Sequence, residues 1–214
     1  MDSNGYKVVK APASGEIVEK KSRFIANVIP VADTGEAEAE IARISKQYWD
    51  ARHNCYAFVI GEKSEITRCS DNGEPSGTAG KPILEVITGA GLTNVLIVVT
   101  RYFGGVLLGT GGLVRAYTQA AQEGIANAEI ALMQKALPLA LGLGYDMINN
   151  VQYYLRQEEI FVENEAYGES VDIKVIVPSD RVEKVMDDLT QKTNGQIRIT
   201  KGDEGYYPLK SNWI

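Results

Sequence analysis

The sequence predicts an α+β fold in two domains, residues 1–136 and 137–214, and three observations carry that prediction. A continuous β-branched run, Val95-Leu-Ile-Val-Val-Thr100, is the pattern of a strand covered on both faces. After Pro138, alternating and helical periods follow one another in the order β-α-β-β-α-β, the ferredoxin-like arrangement. Between these regions, Glu129 to Pro138 places a proline after a helix and a short strand, as at a domain boundary. The charge balance also changes there, from 14 basic and 15 acidic residues over 1–136 to 8 basic and 13 acidic over 137–214.

In chain order, Glu16 to Glu19 and Ser22 to Ile29 read as two strands, or as one strand bent near Lys20-Lys21. Asp33-Thr-Gly-Glu36 has the spacing of a capping box, and Ala37, Ile41, Ile44 and Tyr48 follow on one helical face. Tyr56–Ile60 and Glu65–Ser70 form a hairpin over Gly61 to Ser64. A glycine-rich loop then leads into a helix with Ile83, Leu84, Ile87 and Leu92 as apolar contacts, and the buried strand follows. A second glycine-rich loop precedes a helix with Leu113, Tyr117, Ala120 and Gly124 on one face, and Ile130 to Met133 closes the domain as a strand.

In the second domain Leu139, Leu141 and Leu143 alternate as in a strand. Asp146 caps a helix bearing Ile148, Val151 and Leu155. Strands follow at Ile160 to Glu163 and Val171 to Val177. Ser179 opens a helix with Val182, Val185, Met186 and Leu189, and Ile197 and Ile199 complete the pattern.

The composition, 44% hydrophobic and 23% charged, is that of an ordinary globular protein. No run approaches the roughly 20 apolar residues of a membrane span, and the start lacks a basic and apolar signal pattern, so the expectation is a cytoplasmic protein without membrane contact. Cys55 and Cys69 fit a reducing compartment as two buried thiols. With His53 as the only histidine, no metal site is expected.

The unusual chemistry lies between Cys69 and Tyr117, which holds ten of the 21 glycines. In the second loop the buried strand runs into Arg101, Tyr102, Phe103, Gly104 and Gly105, and a helix begins at Gly109, Thr110, Gly111 and Gly112 with Thr110 as N-cap. Free amides at that helix start attract anions, Arg101 and Arg115 bracket the segment, and no acid stands between Thr100 and Tyr117. Glycines at such a junction also serve tight turning and close packing. The first loop, Gly73 to Pro82, ends in Gly80-Lys81 like a P-loop, but Pro75 and Pro82 occupy positions that a nucleotide loop needs otherwise. Capping of the next helix is the simpler role for this loop.

The runs Ser70-Asp71-x-Gly73-Glu74-Pro75-Ser76-Gly77-Thr78-Ala79-Gly80-x-Pro82 and Val99-Thr100-Arg101-Tyr102-Phe103-Gly104-Gly105-x-x-Leu108-Gly109-Thr110-Gly111-Gly112-Leu113-x-Arg115-Ala116-Tyr117 resemble the IMPACT family of the bacterial YigZ and YvyE type. The resemblance covers the whole chain, with both motifs in the first domain. It implies a first domain similar to the second domain of small-subunit ribosomal protein five and a ferredoxin-like second domain, a pair similar to the fourth and fifth domains of elongation factor G. Eukaryotic relatives regulate translation initiation, through partners that bacteria lack.

Common enzyme chemistries are hard to build from these residues: one histidine would have to serve any serine or cysteine nucleophile, and no Gly-x-Ser-x-Gly turn exists. The expectation is therefore a non-enzymatic protein without cofactor that binds RNA, a ribosome or a translation factor, with a protein partner also open. Candidate phosphate-binding residues are Arg101, Tyr102, Gly104, Gly105, Gly109, Thr110, Gly111, Gly112 and Arg115 in the second loop and Ser76, Gly77, Thr78 and Lys81 in the first. Tyr102 and Phe103 would either stack on unpaired bases or belong to the core. The alternatives are a small-molecule or nucleotide-binding enzyme, hydrolase or kinase-like, and a protein-only interaction module. The loop Gly109 to Arg115 is loosely similar to that of galactokinase-type kinases, without their catalytic acid and base.

Overall fold

The computed structural model describes residues 5–209, which form two compact units, one from Tyr6 to Ala131 and one from Leu132 onward. A short strand β1 (Gly5–Val9), whose first residue Gly5 counts with the second unit, opens the described chain, and an antiparallel hairpin of β2 (Ala13–Glu19) and β3 (Ser22–Pro30) follows in the first unit. The two residues between these strands, Lys20 and Lys21, both take positive φ, 44° and 65°, as a two-residue hairpin turn of the favoured twist requires. The segment is thus two strands and not one bent strand. Two consecutive lysines in this conformation cost about 1 kcal/mol each relative to glycine.

Helix α1 (Thr34–Gln47) starts as its spacing predicts: the Asp33 carboxylate accepts from Glu36 N at 2.9 Å, and the Glu36 carboxylate accepts from Ala32 N at 2.6 Å. Strands β4 (His53–Ile60) and β5 (Ile66–Ser70) form the expected hairpin. Helix α2 (Gly80–Gly89), strand β6 (Val95–Tyr102) and helix α3 (Thr110–Ala126) complete the unit.

The sheet order is β2-β3-β6-β4-β5, with every neighbouring pair antiparallel, so β6 is central. Its period-2 alternation sends Val95, Ile97 and Val99 into a core with Ile83 and Ile87 of α2 and Leu113, Tyr117 and Ala120 of α3. Leu96 and Val98 point the other way, to Ala37 and Ile44 of α1. Helices cover both faces, and that is why the strand carries an unbroken apolar run.

In the second unit β7 (Ile130–Leu143) is one strand where the sequence pattern predicts two, and the expected division after Ala136 falls inside it. Pro138 does not break it. The Pro138 carbonyl accepts from Gly202 N at 2.8 Å, so the nitrogen of the same residue faces that side too, opposite the gap between β10 (Arg198–Lys201) and β11 (Gly205–Leu209) where no ladder bond is required.

Helix α4 (Ile148–Gln157) follows β7, with Met147 and not Asp146 at its cap position. Then come β8 (Phe161–Tyr167), β9 (Val171–Pro178), a single 3-10 turn at Ser179–Arg181, and α5 (Val182–Lys192). β9 lies between β7 and β8, and β10 and β11 pair with β7, so β10-β7-β9-β8 is the β-α-β-β-α-β arrangement. Val151, Leu155, Val185 and Leu189 pack on Leu139, Leu141, Ile173 and Val175 to form its core. No helix among the described residues is long and apolar enough to cross a membrane.

Candidate nucleic-acid interface

The two glycine loops converge on the same end of β4 and β6 and do different things there. In the first, the Asp71 carboxylate accepts from the backbone N–H of Gly77 (2.8 Å), Ala79 (2.9 Å) and Gly80 (2.9 Å), so the start of α2 already holds a negative charge. Burial alone would raise the Asp71 carboxyl, and the three backbone donors outweigh it, leaving the carboxyl below its ordinary range. Of the first-loop candidates, Gly77 thus gives its amide to Asp71, and the Thr78 hydroxyl donates to Pro75 O at 2.7 Å. Ser76 is exposed at the loop tip, and exposed Lys81 stands 3.9 Å from Glu85. These residues do not form a common anion pocket, because the chain's own carboxylate occupies the donors.

This loop also supports its neighbours. Glu74 is buried and accepts at Oε1 from Arg101 Nη1 (2.6 Å) and from the Tyr117 hydroxyl (2.9 Å). The Cys55 thiol lies 3.0 Å from Asp71 O and 3.3 Å from the Tyr117 oxygen, its single proton shared between them, and Tyr117 packs edge-on against Phe24 with centroids 5.1 Å apart. Burial pushes the Cys55 thiol up to about 12 and raises the Tyr117 phenol, so neither is ionised near neutrality and Cys55 is no nucleophile. Cys69, expected to be buried, is exposed on edge strand β5, and both thiols are free.

Arg101 is therefore not the solvent-facing guanidinium that its acid-free segment suggested. Its side chain is 8% exposed and ion-paired, an acid 27 residues away having been folded onto it. The guanidinium lies over the rings of Phe24 (5.5 Å) and Phe103 (5.6 Å), and its buried Nε–H has no protein acceptor among the described residues.

The second loop is open by contrast. Gly109, not Thr110, is the cap residue of α3, at φ 72°, and no side chain caps the helix. The first helical bond runs from Leu113 N to Gly109 O at 2.9 Å, so helix geometry leaves the amides of Thr110, Gly111 and Gly112 without intrahelical acceptors. Gly104 is held by close approach, since a Cβ there would stand 2.0 Å from the Lys21 carbonyl carbon, and Gly104 N donates to Ser22 Oγ at 3.1 Å. That contact brings the Lys20-Lys21 turn to the second loop. A cavity of about 150 Å³ beside the first turns of α3 is lined by Glu19 and Lys20, by Leu108, and by Gly112, Arg115, Ala116 and Gln119 of the helix. Exposed Gly105 lies between these contacts.

A second cavity of about 180 Å³ is lined by Arg52, His53, Arg101, Phe103 and Leu107. Phe103 is half exposed and Leu107 is 82% exposed, so Phe103 is not core; Tyr102 is partly buried, its hydroxyl donating to Asp50 at 2.8 Å. His53 lies opposite Arg101 in the β4–β6 register, and its Nδ1 is 2.9 Å from Asn72 O. The sequence does not mark Lys20, Arg52, His53 or Glu74 as neighbours of this region. The β4–β6 pairing sets the start of β4 beside the end of β6, and the sequence carries no local signal for it.

Residues 20–125 match the Impact N-terminal domain family model, and residues 141–196 match the Domain of unknown function DUF1949. IMPACT family member YvyE of Bacillus subtilis is 36% identical over 99% of this chain and 97% of its own length. IMPACT family member YigZ of Escherichia coli is 32% identical over 86% of this chain and 92% of its own. A crystal structure of a hypothetical protein, 30% identical, superposes with a TM-score of 0.60 over 94% of this chain and 99% of that one.

Proposed function

The chain belongs to the IMPACT family, and from that premise we propose that its first domain binds RNA, or the RNA-bearing surface of a translation complex, by holding backbone phosphate at the start of α3. One observation carries the reading: of two glycine-loop helix starts in one domain, α2 is filled by Asp71 and α3 has no side-chain cap. The first shows what such amides bind; the second leaves them for an external oxyanion. Arg115 and Lys20 at the α3 cavity supply the cations, in place of the ion-paired Arg101. The two lysines held at positive φ in the adjacent turn, where Asn-Gly would be easier, support a use for their charge.

The family resemblance supports a role for such binding in translational regulation, in the cytoplasm. The second domain, with an excess of acids, repels phosphate and serves to contact protein or set orientation. A protein-only module is the rival reading, favoured by the exposure of Trp49 and Leu107, both 82%. The test is RNA affinity against salt for the wild type and for Lys20→Ala with Arg115→Ala. Loss of two phosphate contacts lowers the slope of log affinity on log salt by about 1.4 for a single strand. An unchanged slope and affinity would remove the RNA reading and leave the protein-only one.

A further inference from the structure

The cavity lined by Arg52, His53, Arg101, Phe103 and Leu107 is separate from the donors of α3 and has a different chemistry. Both glycine motifs build it. The second supplies Phe103 and Leu107, and the first fixes the polar wall from behind through Glu74, which holds Arg101, and Asn72, whose carbonyl meets His53 Nδ1. A carbonyl oxygen only accepts, so the Asn72 contact places a proton on Nδ1 and engages that ring nitrogen, not Nε2. Arg101 lies over the Phe103 ring at 5.6 Å while half of Phe103 remains exposed, so the ring is braced by a cation and still offers apolar surface.

The wall thus combines an aromatic plane, a flanking aliphatic side chain, a histidine ring and the exposed guanidinium of Arg52, around about 180 Å³. A bare phosphate has no use for the aromatic and aliphatic part. A planar heterocycle with hydrogen-bonding edges uses all of it, because every base has a π-face to stack and polar atoms on its rim. Resting on the RNA reading above, we infer that this cavity takes one unpaired nucleobase of the strand whose phosphate lies at α3, and that the protein therefore prefers single-stranded over duplex RNA. Bases in a duplex are stacked and paired, so they cannot enter without being extruded.

The experiment uses the full chain with a short single strand, the same strand carrying one abasic ribose scanned along it, and the corresponding duplex. Phe103→Ala and, as a variant of an 82% exposed residue with little bearing on folding, Leu107→Ser are compared with the wild type. The expected result is a loss of single-strand affinity of at least about fivefold for Phe103→Ala, from the loss of one stacked base. An abasic ribose at one position should reproduce that loss in the wild type and add nothing to it in the variant. Leu107→Ser loses less in the same direction, while duplex affinity and the salt slope stay unchanged. Equal single-strand affinity in wild type and variants, or an equal loss on single strand and duplex, overturns the base pocket. If the slope still falls in Lys20→Ala with Arg115→Ala, the phosphate reading survives that failure. If no RNA binds in a salt-dependent way, both readings fall together.

Discussion

The two glycine loops of the first domain look alike in sequence, each rich in glycine with a helix behind it and a basic residue close by, yet they end in opposite electrostatic states. At α2 three backbone donors converge on Asp71, and the same loop sends Glu74 inward to Arg101 and Tyr117. At α3 the donors have no side-chain cap, and the neighbouring cations Lys20 and Arg115 line a cavity. A glycine-rich helix start is therefore not a binding site by itself: a carboxylate nine residues before the helix is enough to convert one into a structural brace. The contrast also assigns a division of labour, with one loop rigid and supporting and the other available.

The comparison is broken most severely at the brace. Glu74→Ala leaves Arg101 buried without its partner, and stability should fall by about 3–5 kcal/mol, read by denaturant unfolding. A loss below about 1 kcal/mol would mean that the pair is not closed in solution. Asp71→Asn should cost about 1–2 kcal/mol, as the loss of a charged cap does. Because the folded Asp71 carboxyl lies below its ordinary range, the unfolded chain takes up the proton more readily. Its stabilisation is therefore present above about pH 4 and is lost as pH falls through the lowered folded value, so Asp71→Asn should flatten the acid side of the stability curve.

At the open loop the expected effects on stability are smaller. Gly109→Ala forces a side chain to φ 72°, ψ 168°, a region essentially restricted to glycine, and should cost at least about 1 kcal/mol. Lys20→Ala with Arg115→Ala should leave stability within about 0.5 kcal/mol in the same unfolding assay, both residues being exposed, while changing the salt dependence of RNA binding.

Much of this fold was legible in the sequence because periodicity reports burial directly. Val95 to Thr100 could only be a two-sided strand, and Asp33 to Glu36 could only start a helix. Pro138 misled because a proline stops a strand only where its missing N–H is needed, and that depends on the gap between β10 and β11. The site was legible by half. A glycine-rich helix start near Thr110 follows from local order, whereas the pairing of Arg101 with Glu74 joins residues 27 apart and is settled by tertiary packing alone. Lys20 reached the site through a hairpin turn and the close approach of Gly104, neither visible as a motif.

Gly111→Asp tests the openness of α3 most directly. A Cβ at Gly111 meets nothing within 4 Å, so an aspartate fits there and does at α3 what Asp71 does at α2. The variant should melt no lower than the wild type, a carboxylate in the first turn being worth about 0.3–1 kcal/mol, while its affinity for single-stranded RNA drops severalfold. A Gly111→Asp protein that folds equally well and binds RNA as tightly as the wild type, with the same salt slope, would contradict that openness.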